Sequence, residues 1–295
     1  MADKPDTGHL MGHVKDSTYF EVPTRLGGKL ELPQPFHLDK PLFDVKIGVP
    51  HIDSRIEPFD LKITKFMALE VLAAAIIVVI FTRLAQRMAV GGPPRGRFWN
   101  LFESMLVFIR DEVARPAIGK HDADRFLPLL WTMFFFVLVC NLLGLVPWLG
   151  SATGALATTG ALAVVTFLTV IGSGMAKLGV VGFWQAQVPH MELPLVMAIF
   201  LKPMIFLIEV IGLAIKHFVL AMRLLANMLA GHLVLAVVMG FVALTWHTSF
   251  VYFVAPASIF GSIALSMLEL LVAFIQAYIF TFLSALFIGM AVHPH

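Results

Sequence analysis

Residues Met204–Gly240 read MIFLIEVIGLAIKHFVLAMRLLANMLAGHLVLAVVMG, 37 residues without a proline. As one helix this stretch is roughly 55 Å long. A bilayer hydrocarbon core is about 30 Å thick. An unbroken helix would therefore tilt far beyond the usual ~20°. The alternative is ordinary spans with breaks near Gly212 and Gly240, and the residues alone leave both readings open. Ala257–Val292 is a second long apolar stretch without proline. Two long, steeply tilted helices in a hairpin are thus the feature on which the fold turns.

Composition places the chain in a membrane. It has 295 residues, is 59% hydrophobic, has mean hydropathy +0.87 and is 14% charged. Soluble domains carry roughly 25% charged residues, and lipid-facing surface cannot carry charge. The net charge of +2 is too small to argue for a nucleic-acid partner. The single cysteine, Cys140, excludes a disulfide framework or a cysteine metal cluster.

The expected architecture is an all-α integral membrane protein with about five to six membrane helices. Residues 1–60 form an extramembrane N-terminal segment with short strand-like pieces such as Phe43–Val49, and 61–295 form the transmembrane domain. The first span covers about Phe66–Thr82 and is followed by Arg83, Arg87, Arg95 and Arg97. Positive charge there puts that end on the cytoplasmic side and the N-terminus outside. Residues 98–118 mix apolar and charged residues like an amphipathic helix lying in the interface. Phe126–Trp148 is the next span. Ala152–Lys177 is another, its Ala, Gly and Thr pointing to close helix packing. Gly179–Pro194 connects it to the last hundred residues.

Only Lys202, Glu209, Lys216, Arg223 and Glu269 carry charge in 196–295. The first four are seven apart and so share one helix face with a drift of ~20° per step. Lys202 and Lys216 read as snorkelling side chains. Glu209 fits either a water-lined path or a structural pair with a lysine. Arg223 is flanked by apolar residues, and only Asn227 lies one turn on. A guanidinium stays charged, and charge within a membrane is costly, so its spacing calls for a carboxylate from another chain, the alternative being an arginine satisfied by backbone carbonyls. His232 lies half a circumference from Arg223, behind Ala230-Gly231, where helices can approach closely. Ser262, Glu269 and Gln276 form a polar stripe suited to a hydrated path or to interhelical hydrogen bonds.

Several of these residues carry a family resemblance. Arg223-Leu224-Leu225-Ala226-Asn227-Met228-Leu229-Ala230-Gly231-His232 resembles the R-L-x-x-N-x-x-A-G-[EH] signature of F-type ATP synthase subunit a. Glu269 and Gln276 resemble that family's last helix, Asn141–Pro147 its N-L-x-x-L-x-P segment, and Glu209 its carboxylate fourteen residues before the arginine. The resemblance covers roughly 62–292. Family members carry a carboxylate at the His232 position with histidine at the Glu269 position, or the reverse pair found here. Two departures are a long 1–60 segment and an extended 240–256 connection.

The resemblance implies a non-catalytic stator subunit of a proton-translocating complex in an energy-transducing inner membrane. Its last two helices would face a rotating ring of c subunits, each with a buried carboxylate. Two offset half-channels would deliver and remove protons, with Arg223 between them. Glu269, His232 and Gln276 fall to the N-terminal-side channel and Glu209 to the cytoplasmic one. Other partners would be b-type peripheral stalk subunits, lipid and, indirectly, the soluble ATP-synthesising sector. No cofactor is implied, and the C-terminus would be cytoplasmic. A haem protein could use His217 and His232, yet Ala257–Val292 offers no facing histidine. A secondary transporter would show inverted repeats, and no internal symmetry is visible.

Overall fold

The computed structural model describes residues 17–21, 29–32, 64–89, 96–146, 149–188, 195–246 and 248–293, with side chains of the long penultimate helix described from residue 200. The expected strand piece Phe43–Val49 lies outside them, as does most of 1–60. What is described of that segment is a small hairpin. Strands β1 (Tyr19–Glu21) and β2 (Lys29–Glu31) pair antiparallel, with Phe20 opposite Leu30. The hairpin is tied to the bundle where Lys65 N–H donates to Ser17 O at 2.8 Å. Phe20 also packs on the cluster of Phe66, Leu69 and Ala152.

The rest is helical. The order is α1 (Lys65–Ala89), α2 (Arg97–Phe108), a π-helical turn (Ile109–Ala114), α3 (Arg115–Ile118), α4 (Ala123–Gly144), a 3-10 turn (Ala152–Gly154), α5 (Leu156–Leu178), α6 (Val180–Ala186), α7 (Leu195–Thr245) and α8 (Val251–Val292). Five of them, α1, α4, α5, α7 and α8, are long and apolar enough to cross a membrane. That sets the number at five among the described residues.

Helix α7 is continuous through Gly212 and Gly240, so the reading with two breaks is corrected. Lipid offers the backbone no competing partner, which favours an unbroken helix through both glycines. At 51 residues α7 is roughly 77 Å long. Helix α8, with 42 residues, is roughly 63 Å. Both exceed the bilayer core and need steep tilt or projection beyond it. Within the 240–256 connection, residues 240–245 belong to α7 and 251–256 to α8. Pro256 is the sixth residue of α8, and its missing N–H costs the helix one hydrogen bond, to the Tyr252 carbonyl.

The expected span Phe126–Trp148 ends earlier, at Gly144. The chain turns there because Ser151 folds back onto the helix. A Cβ at residue 144 would come within 2.8 Å of Ser151 Cβ. The small-residue span becomes the 3-10 turn followed by α5, and Gly179–Pro194 includes α6. On α5 the buried Thr159, Ala163, Thr166, Val170 and Gly174 recur at helical spacing and form one stripe toward its neighbours. The stripe's two threonines bond back to carbonyls one turn earlier, Thr159 Oγ1 to Ala155 O at 3.2 Å and Thr166 Oγ1 to Leu162 O at 3.0 Å.

The amphipathic segment packs one face, Ile109, Val113, Ala114 and Ile118, into the core, while Phe98, Leu101 and Phe108 stay exposed. Trp131 Nε1 donates to Leu106 O at 3.0 Å and fixes it to α4. Where α8 crosses α3, Gly289 is bare. A Cβ there would meet Ala117 C at 3.0 Å.

The two ends of the bundle differ. At the end formed by α1's last turn, Arg87 lies over the Trp99 ring at 4.5 Å. The same end gathers Arg110, Asp111, Arg115, Asp122, Lys177 and His293. Asp122 accepts from Lys177 and lies 3.1 Å from His293 Nε2, so one carboxylate ties the ends of α5 and α8 together. The opposite end holds the hairpin and the Phe66 cluster, which is largely apolar.

Candidate functional site

Helices α7 and α8 run antiparallel, and three contacts set their register. Ser262 Oγ lies 3.6 Å from Met239 Sδ. A Cβ at Gly261 would lie 3.8 Å from Val238 Cγ1. The Glu269 side chain lies over Gly231, with Cδ 3.0 Å and Cγ 3.2 Å from the place a Cβ would occupy. The Ala230-Gly231 pair thus does what its size allows. It lets a carboxyl group from the facing helix rest on the backbone beside His232.

Following that register down both helices, Asn227 stands level with Ala273 and Arg223 level with Ala277, the neighbour of Gln276. Gln276 is buried, 5% exposed, between helices. Arg223 is exposed on the other side of α7, while Leu220 and Leu224 beside it are buried. Arg223 and Gln276 therefore share a level but occupy different surfaces. Asn227 is half-buried, as are His232 and Glu269.

Arg223 has no ion pair with any described residue. It projects from a broad exposed apolar face that includes Ile215, Phe218, Val219 and Met222. Glu209 does have a partner: Lys216 Nζ lies 3.5 Å from its Oε1. Of the two readings open for Glu209, this distance fits the lysine pair. Lys202 is exposed.

His217 is held by a backbone carbonyl and two aromatic neighbours. Its Nδ1 lies 2.8 Å from Leu213 O. Its ring is held against Phe167 and Phe287, centroids 5.2 and 5.1 Å away.

The structure also brings to the site the first residue of the N-L-x-x-L-x-P segment. Asn141, fully buried on α4, donates from Nδ2 to Ala273 O at 3.4 Å, between Glu269 and Gln276 on α8. Its Oδ1 accepts from Thr153 Oγ1 at 2.7 Å, and Thr153 Oγ1 lies 3.0 Å from Ser151 Oγ. An amide inside an apolar span is costly unless partnered.

With this geometry in hand, comparison with known proteins becomes specific. The family described as ATP synthase A chain matches residues 67–289. A relative from Myxococcus xanthus named ATP synthase subunit a is 42% identical over 239 residues, 80% of this chain and 76% of that protein. One of the same name from Chloroherpeton thalassium is 42% identical over 83% of this chain and 71% of its own length. A third, from an Anaeromyxobacter species, is 36% identical over 97% of this chain and 70% of its own length. These matches span all five membrane helices, and the chain is a multi-pass membrane protein that belongs to the ATP synthase A chain family.

Proposed function

We propose that this chain is the proton-translocating stator subunit of the membrane sector of a rotary F-type ATP synthase, and that Arg223 faces a ring of c subunits. The observation that carries the reading is the position of Arg223. It is a permanent cation on an exposed apolar surface, without an ion pair among the described residues. Such a charge is stabilised by an anionic group brought to it from another chain. A ring carboxylate is ionised beside Arg223 and neutral where it faces lipid, because burial favours the uncharged acid. The arginine thus separates two proton paths and enforces release at each passage. Each proton that crosses is worth about 2.3 kcal/mol per 100 mV.

The path on the N-terminal side runs by Glu269, with His232 beside the glycine it covers and Gln276 two turns further along α8. Asn227, level with Ala273, lies between that group and Arg223. Glu209 with Lys216 belongs to the cytoplasmic path. With five spans and an outer N-terminus, the C-terminus is cytoplasmic, and the charged end of the bundle faces the cytoplasm in keeping with the distribution of basic residues. The membrane is the energy-transducing inner membrane. The subunit catalyses no covalent step. ATP is made in the soluble sector, and b-type stalk subunits hold this chain against rotation.

The test is ATP-driven proton pumping in inverted vesicles. Arg223→Ala is expected to abolish it while the complex remains assembled, and pumping near the wild-type rate would overturn the assignment.

A further inference from the structure

We propose that Glu70, on the first membrane helix, is the proton-collecting carboxylate at the outer mouth of the N-terminal-side path, joined to Glu269 by a buried polar seam through Asn141. The inference rests on the function proposed above. Glu70 lies little more than one turn into α1, at the end that carries the hairpin. Its Oε1 accepts from Thr158 Oγ1 on α5 at 2.6 Å. Leu69, the residue before it, packs on Ala152, which lies between Ser151 and Thr153. From Asn141 the seam continues to Ala273 O, one turn from Glu269, and sideways to Thr153 and Ser151.

Two features set Glu70 apart from an ordinary interhelical tie. A carboxylate in an apolar helix is costly, whereas a threonine or asparagine would serve Thr158 as well. The groups behind it, Thr158, Asn141, Thr153 and Ser151, are all buried and all polar. Such a lining admits water. A proton from outside water binds the Glu70 carboxylate, passes to water in the seam, and leaves the carboxylate ready for the next. A negative group at a narrow low-dielectric mouth also concentrates protons there.

The experiment measures proton flux through membranes stripped of the soluble sector, driven by a potassium diffusion potential and normalised to the assembled complex. Glu70→Gln keeps an acceptor for Thr158 but removes ionisation, and flux is expected to fall about tenfold or more. Glu70→Asp is expected to keep most of it. Thr158→Val removes the hydrogen bond and leaves the carboxylate, so flux stays near wild type. Wild-type flux in Glu70→Gln would overturn the proposal. So would an equal fall in Thr158→Val, since the pair would then be only a tie between α1 and α5. If Glu70→Gln lowers assembly, Glu70→His decides: recovered flux supports an ionisable entry group, and absent flux in an assembled complex overturns it. No flux in the wild-type protein would instead sink the proposed function.

Discussion

The Glu269 carboxyl group rests on Gly231, leaving no room at residue 231 for even a methyl group. The added carbon of Gly231→Ala would sit 3.0 Å from Glu269 Cδ, so the acidic side chain must turn away. Displacing a proton-handling group by about 1 Å can cost up to about a hundredfold in rate. Gly231→Ala is therefore expected to cut ATP-driven pumping strongly with the complex still assembled. Gly212→Ala, where nothing lies within 4 Å, is the matched control and should pump normally. Equal activity in the two variants would dissociate the contact from transport.

Helix existence and the polar positions were readable because membrane helices obey a simple rule: long apolar runs satisfy their own backbone. The hairpin register was not readable. Seven-residue spacings put Ser262, Glu269 and Gln276 on one face, but only contact with Met239 and Gly231 fixes which turn of α7 each one meets. The continuity of α7 was also open, because Gly212 and Gly240 weaken a helix without ending it. Glu209 shows the opposite limit. Spacing made a pair with Lys216 possible, and side-chain geometry alone displays it. Glu70 and Asn141 needed tertiary structure, since their partners Thr158 and Ala273 are far away in sequence.

Sidedness is tested by labelling. Asp60→Cys and Val90→Cys, each in a Cys140→Ala background, are treated in intact cells with an impermeant thiol reagent. Labelling is expected at 60 and not at 90, with the basic end of α1 inside. The reverse pattern would invert the chain and exchange the two proton paths.

The charged end of the bundle has its own pH dependence. The hydrogen bond from Lys177 holds the Asp122 carboxyl below its ordinary value of 3.8, with the Lys177 charge and His293 acting in the same direction against partial burial. A lowered folded-state value means that the ionised form stabilises the fold. That contribution is fully present above 3.8 and is lost as pH falls through the lowered value. Asp122→Asn removes the tie at every pH. Hydrogen exchange at the C-terminal turn of α8 is expected to be faster in this variant at neutral pH, and to differ little from wild type in strong acid. Identical exchange at neutral pH would show that Asp122 does not hold the end of α8.

The last prediction concerns His232 and Glu269 as a pair. They lie on different helices, and the carboxyl group of one covers the residue preceding the other. If they serve one hydrated pocket, each sets the other's protonation: a carboxylate favours the imidazolium, and the imidazolium favours the carboxylate. His232→Glu then places two acids together, and one is held neutral by its neighbour. Glu269→His places two bases there, and each opposes protonation of the other. Either change is expected to reduce proton flux strongly. The double exchange restores one acid and one base across the same helix contact, and is expected to recover a substantial part of the flux. Independent packing sites behave differently, since their losses add. Flux through the membrane sector, measured for both single variants and the double, separates these cases. A double variant no better than the worse single one would show that the two residues do not share a pocket.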